Sequence, residues 1–136
     1  MHDQIDLRSI TDLIDGGKWT DIENFFNSSA QLQRLGITIN LQNPSIPRCD
    51  IFQIADYHQC GMGQNFIHGG ITSALLDLSI GLTALPYLKD GHFATSQLNI
   101  SFLKPVSNQP IYCTAKMENR VGNKVLANAT VFDNKG

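Results

Sequence analysis

Between Gly69 and Leu85 the sequence carries Ile71, Ala74, Leu75, Leu76, Leu78, Ile80, Leu82, Ala84 and Leu85, and Pro86 then stops the run. A helix built from these residues is apolar on nearly every side, so the pattern predicts one buried in the core. With 136 residues and 42% hydrophobic content, the chain is long enough for one good core and too short for two ordinary domains. A single domain over residues 1–136 is therefore expected, its central helix covering 68–85.

The runs on either side of this helix suggest what packs on it. Ile37, Ile39 and Leu41 alternate with polar residues, and Arg48 to Tyr57 is rich in β-branched and aromatic residues, so both read as strands. Phe93 to Leu103, Ile111 to Arg120 and Lys124 to Phe132 read as three more, the last two joined by the Gly122-Asn123 turn. Residues 1–36 read as an N-terminal helical segment. Ile5, Ile10, Leu13 and Ile14 recur at helical spacing before Gly16-Gly17. A second stripe from Ile22 to Leu35 follows what looks like a Thr20/Glu23 capping box. The expected fold class is α+β, with an antiparallel sheet wrapped around one long helix.

Ten basic and twelve acidic residues give a formal charge of −2, and no basic run is dense enough to line a row of phosphates, so nucleic acid is not an expected partner. Met1 to Arg8 lacks the apolar stretch of a signal peptide, and no segment reads as apolar enough to span a bilayer; a cytoplasmic location without a membrane partner is expected. Cys49, Cys60 and Cys113 are odd in number and widely spaced, and read as reduced thiols. His58 and Cys60 lack a second ligand pair at zinc-site spacing, so no metal is expected. His58 and His92 read as solvated loop residues.

Asp77 is the only ionisable residue between Gly69 and Leu85. An unpaired carboxylate on a buried helix costs several kcal/mol, so it is kept there when it is paired, solvated by a cleft, or useful. Ser73, Asp77 and Ile80 lie on one side, so a narrow polar stripe is the plain structural alternative. His68-Gly69-Gly70 opens the same helix, where free N–H groups and the positive dipole end attract developing negative charge, as an oxyanion hole does. A tight loop-to-helix transition is the plain reading of those glycines.

Taken together, His68-Gly69-Gly70, Asp77 nine residues after the histidine, Gly81 and the later Phe102-Leu103-Lys104-Pro105 closely resemble acyl-CoA thioesterases of the phenylacetic-acid-pathway type within the hotdog superfamily. That family's H-G-G-x-x-x-x-L-x-D segment reads here from His68 through Leu75 to Asp77. The resemblance implies hydrolysis of an acyl-CoA thioester to free acid and coenzyme A, with no metal or redox cofactor. It assigns the Gly69 N–H to the thioester carbonyl, and Asp77 to attack it directly or to act as base for water. Thr95, four residues before Asn99, matches the hydroxyl residue that helps hold the water, although strand alternation would turn it away with Gln97, Asn99 and Ser101. The resemblance also counts His68 and Gly70 among the substrate-binding residues, His68 mainly by ordering the loop beside the glycines. Where the family has an Asn or Gln for a second carbonyl contact, this chain has Met62, which cannot donate. Gln64 and Asn65 are the two candidates to replace it.

The resemblance also leads one to expect coenzyme A phosphates near basic residues such as Lys89, Lys104 or Lys124; in the family a further strand segment follows the turn that Asp133–Gly136 resembles, which leaves open a shorter sheet or a truncated sequence. Gly69 and Asp77 are eight residues apart, about 12 Å along a helix axis, too far to meet one thioester carbon. Two antiparallel helices related by a two-fold axis would bring Gly69 of one chain to Asp77 of the other. A homodimer with shared sites is expected, and the resembling enzymes are dimers or dimers of dimers. A non-catalytic acyl-CoA sensor on the same fold is the alternative function, and a hotdog dehydratase is a third for which the motifs are missing.

Overall fold

The computed structural model describes residues 7–60, 65–87 and 94–133. Three short helices come first: α1 (Leu7–Asp15), α2 (Trp19–Asn27) and α3 (Ala30–Leu35). Strands β1 (Thr38–Asn40) and β2 (Arg48–Ile51) follow, then helix α4 (Gly69–Thr83), then the long hairpin β3 (Ile111–Val121) and β4 (Lys124–Asp133). The sheet is antiparallel in the order β1-β2-β3-β4, the α+β layout expected from the sequence. A register shift between Met117 and Asn119 marks a bulge in the hairpin.

The inner face of the sheet carries Ile39, Cys49, Ile51, Ile111, Cys113 and Ala115, all buried. Against them lies one face of α4, with Ile71, Thr72, Leu75, Ser79, Leu82 and Thr83 buried. Ile10, Ile14, Ile22 and Leu32 from the N-terminal helices extend the same core. The outer face is polar and aromatic. There the Arg48 guanidinium pairs with Asp50 at 2.8 Å and lies 4.0 Å from the Tyr112 ring centre.

Four local expectations are corrected. The 22–35 stripe is two helices, because Ser29 caps a new one by accepting from Leu32 N–H at 3.3 Å. The Thr20/Glu23 capping box does not form: α2 starts at Trp19, and the Glu23 carboxylate instead accepts from Leu41 N–H at 2.7 Å. Asn27 joins it, accepting from Ile39 N–H at 2.7 Å and donating to Ile39 O at 2.9 Å, so side chains of α2 occupy the outer edge of β1. The second strand ends at Ile51, and Asp56–His58 form a 3₁₀ turn.

The fourth correction concerns the run from Phe93 to Leu103. Phe93 lies outside the described residues, and residues 94–103 belong to no strand, with a bend at Ser96. Leu103 is 91% exposed and Phe102 63% exposed, so this segment lies on the surface of a single chain. The free edge of β4 likewise has no strand neighbour among the described residues.

The central helix is also less enclosed than its composition predicts. Gly69, Gly70 and Asp77 are exposed, and Ser73, Ala74, Gly81 and Ala84 are only half-buried. At 100° per residue, Gly70, Ser73, Ala74, Asp77, Gly81 and Ala84 share one face, all of them small except the aspartate. By composition alone Gly69–Tyr87 is long and apolar enough to cross a bilayer, with mean hydropathy 1.2, contrary to the sequence reading. Packing of the helix on the sheet accounts for that composition, because a core helix passes the same test.

Candidate active site

The N-terminus of α4 is ordered by His68. Its Nδ1 accepts from Gly70 N–H at 3.1 Å, and its Nε2 donates to Tyr57 O at 3.1 Å. This fixes the neutral tautomer with the proton on Nε2. Both ring nitrogens are committed, so His68 is a helix cap and has no free nitrogen for proton transfer. Ile71 and Thr72 N–H both turn to His68 O. Among the first N–H groups of α4, that of Gly69 has no hydrogen-bond partner among the described residues. It is the donor left available at the exposed, positive end of the helix.

Gly69 and Gly70 are glycines for different reasons. A Cβ on Gly70 would lie 2.9 Å from His68 Cε1 and 3.0 Å from Nδ1, so the capping ring requires its absence. A Cβ on Gly69 would touch the Phe102 ring at 3.4 Å, an ordinary contact.

Two turns further on, Asp77 stands on the open face of the helix, and Thr95 Oγ1 donates to its Oδ1 at 2.6 Å. The expectation that alternation turns Thr95 away fails because residues 94–103 are not in a pleated ladder, and the bend at Ser96 re-aims the chain. A hydrogen bond from a hydroxyl to a carboxylate is short and strong. It fixes one oxygen of Asp77 and leaves the lone pairs of Thr95 free to accept. The segment that carries Thr95 returns to cover Gly69 with Phe102, so it runs back along α4 from the acid to the free amide.

Asn65 is exposed, and its backbone carbonyl accepts from Asn108 N–H at 3.0 Å. Gln64, Met62, Lys89 and His92 lie outside the described residues, as do residues 134–136. Lys104 and Lys124 are exposed. No cluster of three metal-ligating side chains occurs among the described residues.

His58 is the residue that sequence reasoning misplaced. It is fully buried, with Nδ1 accepting from Ala55 N–H at 2.9 Å and Nε2 donating to Leu35 O at 2.6 Å. Nothing in its local pattern separates it from a solvated loop histidine. The carbonyl that holds it lies 23 residues away. All three cysteines are free thiols, two of them buried.

Comparison with known proteins agrees with this geometry. The family model of the thioesterase superfamily matches residues 64–136. A Halobacterium salinarum protein named as an esterase is 29% identical over 107 residues, which span 76% of this chain and 70% of that protein. A crystal structure from Shewanella oneidensis, described as related to the thioesterase superfamily, superposes with a TM-score of 0.74 at 19% identity, over 90% of each chain. One from Ralstonia eutropha, described as a thioesterase and a phenylacetic acid degradation-related protein, gives 0.54 at 24% identity, over 75% of this chain and 86% of its own. With the match covering more than half of its length, and the sheet, helix and cap as described, the chain belongs to the thioesterase superfamily and has its hotdog fold.

Proposed function

We propose that this protein hydrolyses acyl-coenzyme A thioesters, in the manner of the phenylacetic-acid-pathway enzymes, with Asp77 as the catalytic carboxylate. The observation that carries the reading is Asp77 on the open face of α4, held by the Thr95 hydroxyl at 2.6 Å, on a helix whose first amide has no partner among the described residues. The Gly69 N–H receives the thioester oxygen and stabilises the negative charge that develops there. A water accepted by Thr95 gives its proton to the free oxygen of Asp77 and attacks the carbonyl carbon. The tetrahedral intermediate collapses, the C–S bond breaks, and the proton passes from Asp77 to the departing thiolate. The products are the free acid and coenzyme A. Direct attack by Asp77, giving an anhydride that water then opens, uses the same groups.

The site is shared between two chains. Within one helix Gly69 and Asp77 are about 12 Å apart along the axis. The face of small residues through Gly70, Ser73, Ala74, Gly81 and Ala84 lets a second α4 approach closely in antiparallel fashion, bringing each Gly69 to the partner's acid. A homodimer, alone or doubled into a tetramer, is the functional unit.

Free-thiol release from a panel of short-chain, long-chain and aromatic acyl-CoAs tests activity and substrate together. Asp77→Asn should lower turnover by orders of magnitude while the fold survives, and near-parent turnover removes the acid from the mechanism. Mixing Asp77→Asn protein with Gly69→Trp protein should restore one intact site per mixed dimer. No recovery after subunit exchange, verified by mass spectrometry, refutes the shared site.

A further inference from the structure

The family match begins at residue 64, yet the loop that sets the α4 N-terminus is held from outside it. We propose that His58 is a positioning residue of the thioester site, tying α3 to the oxyanion-binding turn, so that the N-terminal helical segment is part of the catalytic apparatus. The inference rests on the hydrolytic reading above.

Leu35 is the last residue of α3, and its carbonyl would be an orphan at a helix end. His58 Nε2–H meets it at 2.6 Å. The opposite nitrogen of the ring is also occupied, by Ala55 N–H, so the buried imidazole is neutral and fully satisfied. The turn then passes this anchorage forward by two routes. His58 O accepts from His68 N–H at 3.0 Å, and Tyr57 O accepts from the His68 ring at 3.1 Å. The far side of that ring takes up Gly70 N–H. His68 therefore stands where residues 57 and 58 put it, and its placement leaves the amide of Gly69, not that of Gly70, free to bind an oxyanion.

The packing around His58 is equally tight. The Tyr57 and His58 rings are 4.1 Å apart between centres. Gly36, with φ of +68°, ends α3 where a Cβ would meet Tyr57 Oη at 3.0 Å and His58 Cε1 at 3.2 Å. Displacing the imidazole frees residues 57 and 58 together, and a shift of about 1 Å at a catalytic donor costs as much as 100-fold in rate.

The test compares His58→Leu, which removes both side-chain bonds, with His58→Gln, whose amide donates to Leu35 O. The core variant Ile39→Ala serves as a control for stability loss alone. The expected result is kcat lowered about 10- to 100-fold in His58→Leu with KM changed far less, kcat largely regained in His58→Gln, and parent-like kcat in Ile39→Ala. The Gly70 amide resonance should shift in His58→Leu, and its hydrogen exchange should quicken. Parent-like kcat in His58→Leu, or an equal kcat loss in Ile39→Ala, overturns the proposal. If His58→Leu does not fold, His58→Asn, too short to reach Leu35 O, takes its place, and equal kcat in the Asn and Gln variants overturns it. Absence of thioester turnover in the parent would instead refute the hydrolytic reading. The Gly70 amide still reports the positioning role in that case, and an unmoved resonance refutes it.

Discussion

Adjacent glycines at the start of α4 should answer to the same substitution with opposite signs. Neither Gly69 nor Gly70 has positive φ, so alanine fits the backbone at both. At Gly69 the new methyl meets only the Phe102 ring, at 3.4 Å. Gly69→Ala should then gain about 0.4–1 kcal/mol from the restricted unfolded chain. At Gly70 the methyl would lie 2.9 Å from His68 Cε1, closer than side chains tolerate. Relief requires the imidazole to turn, which gives up the cap to Gly70 N–H and the bond to Tyr57 O. A lost cap costs about 1 kcal/mol, and the second bond about 0.5–1.5 kcal/mol. Less the same backbone gain, Gly70→Ala should be destabilised by about 1–2 kcal/mol. The two variants then differ by about 2 kcal/mol, or about 5–10 °C in Tm for a domain of this size. Thermal unfolding followed by circular dichroism measures this directly. Equal shifts, or a more stable Gly70→Ala, would show that His68 does not cap the helix as described.

Thr95→Val keeps the shape and deletes the donor to Asp77; a bond to a charged acceptor contributes about 1.5–3 kcal/mol, so kcat should fall about 10- to 150-fold, and a loss under threefold would remove Thr95 from the site. Of Gln64→Ala and Asn65→Ala, one should slow turnover and the other be nearly silent if a single loop amide supplies the second carbonyl contact; two silent variants place the second donor elsewhere. Burial pushes the Cys49 thiol up to about 12 and that of Cys113 to about 11, from an ordinary value of 9.0. With folded values above unfolded ones, this contribution is complete below pH 9 and is lost as pH rises toward 11–12. Urea midpoints should therefore fall above pH 9, and fall less in Cys49→Ala/Cys113→Ala protein; identical slopes would refute the assignment.

The long elements were legible because their signals are local. The apolar run to Pro86 marked α4, and alternation around Gly122-Asn123 marked the hairpin. The histidine, the glycines and the acid were legible as a spaced motif. Features decided across long distances were not. The stripe from Ile22 to Leu35 hides a break that only the Ser29 cap reveals, and Glu23 serves a strand rather than its own helix. His58 reads as a loop residue until Leu35 is placed beside it. Thr95 was aimed by a pleat that its segment does not possess. The open face of α4 misled most, because small residues count as apolar in composition whether they are buried or left open.

The side chains of α2 that occupy the β1 edge give the molecule a direction. Asn27 and Glu23 have taken the Ile39 and Leu41 groups that an incoming strand would need, so lateral growth is blocked on that side. The opposite side, ten residues of β4, has no strand neighbour among the described residues. A sheet sealed on one side cannot repeat indefinitely, whatever meets the other. The same N-terminal helices thus make this sheet a terminating unit rather than the repeat of a fibre.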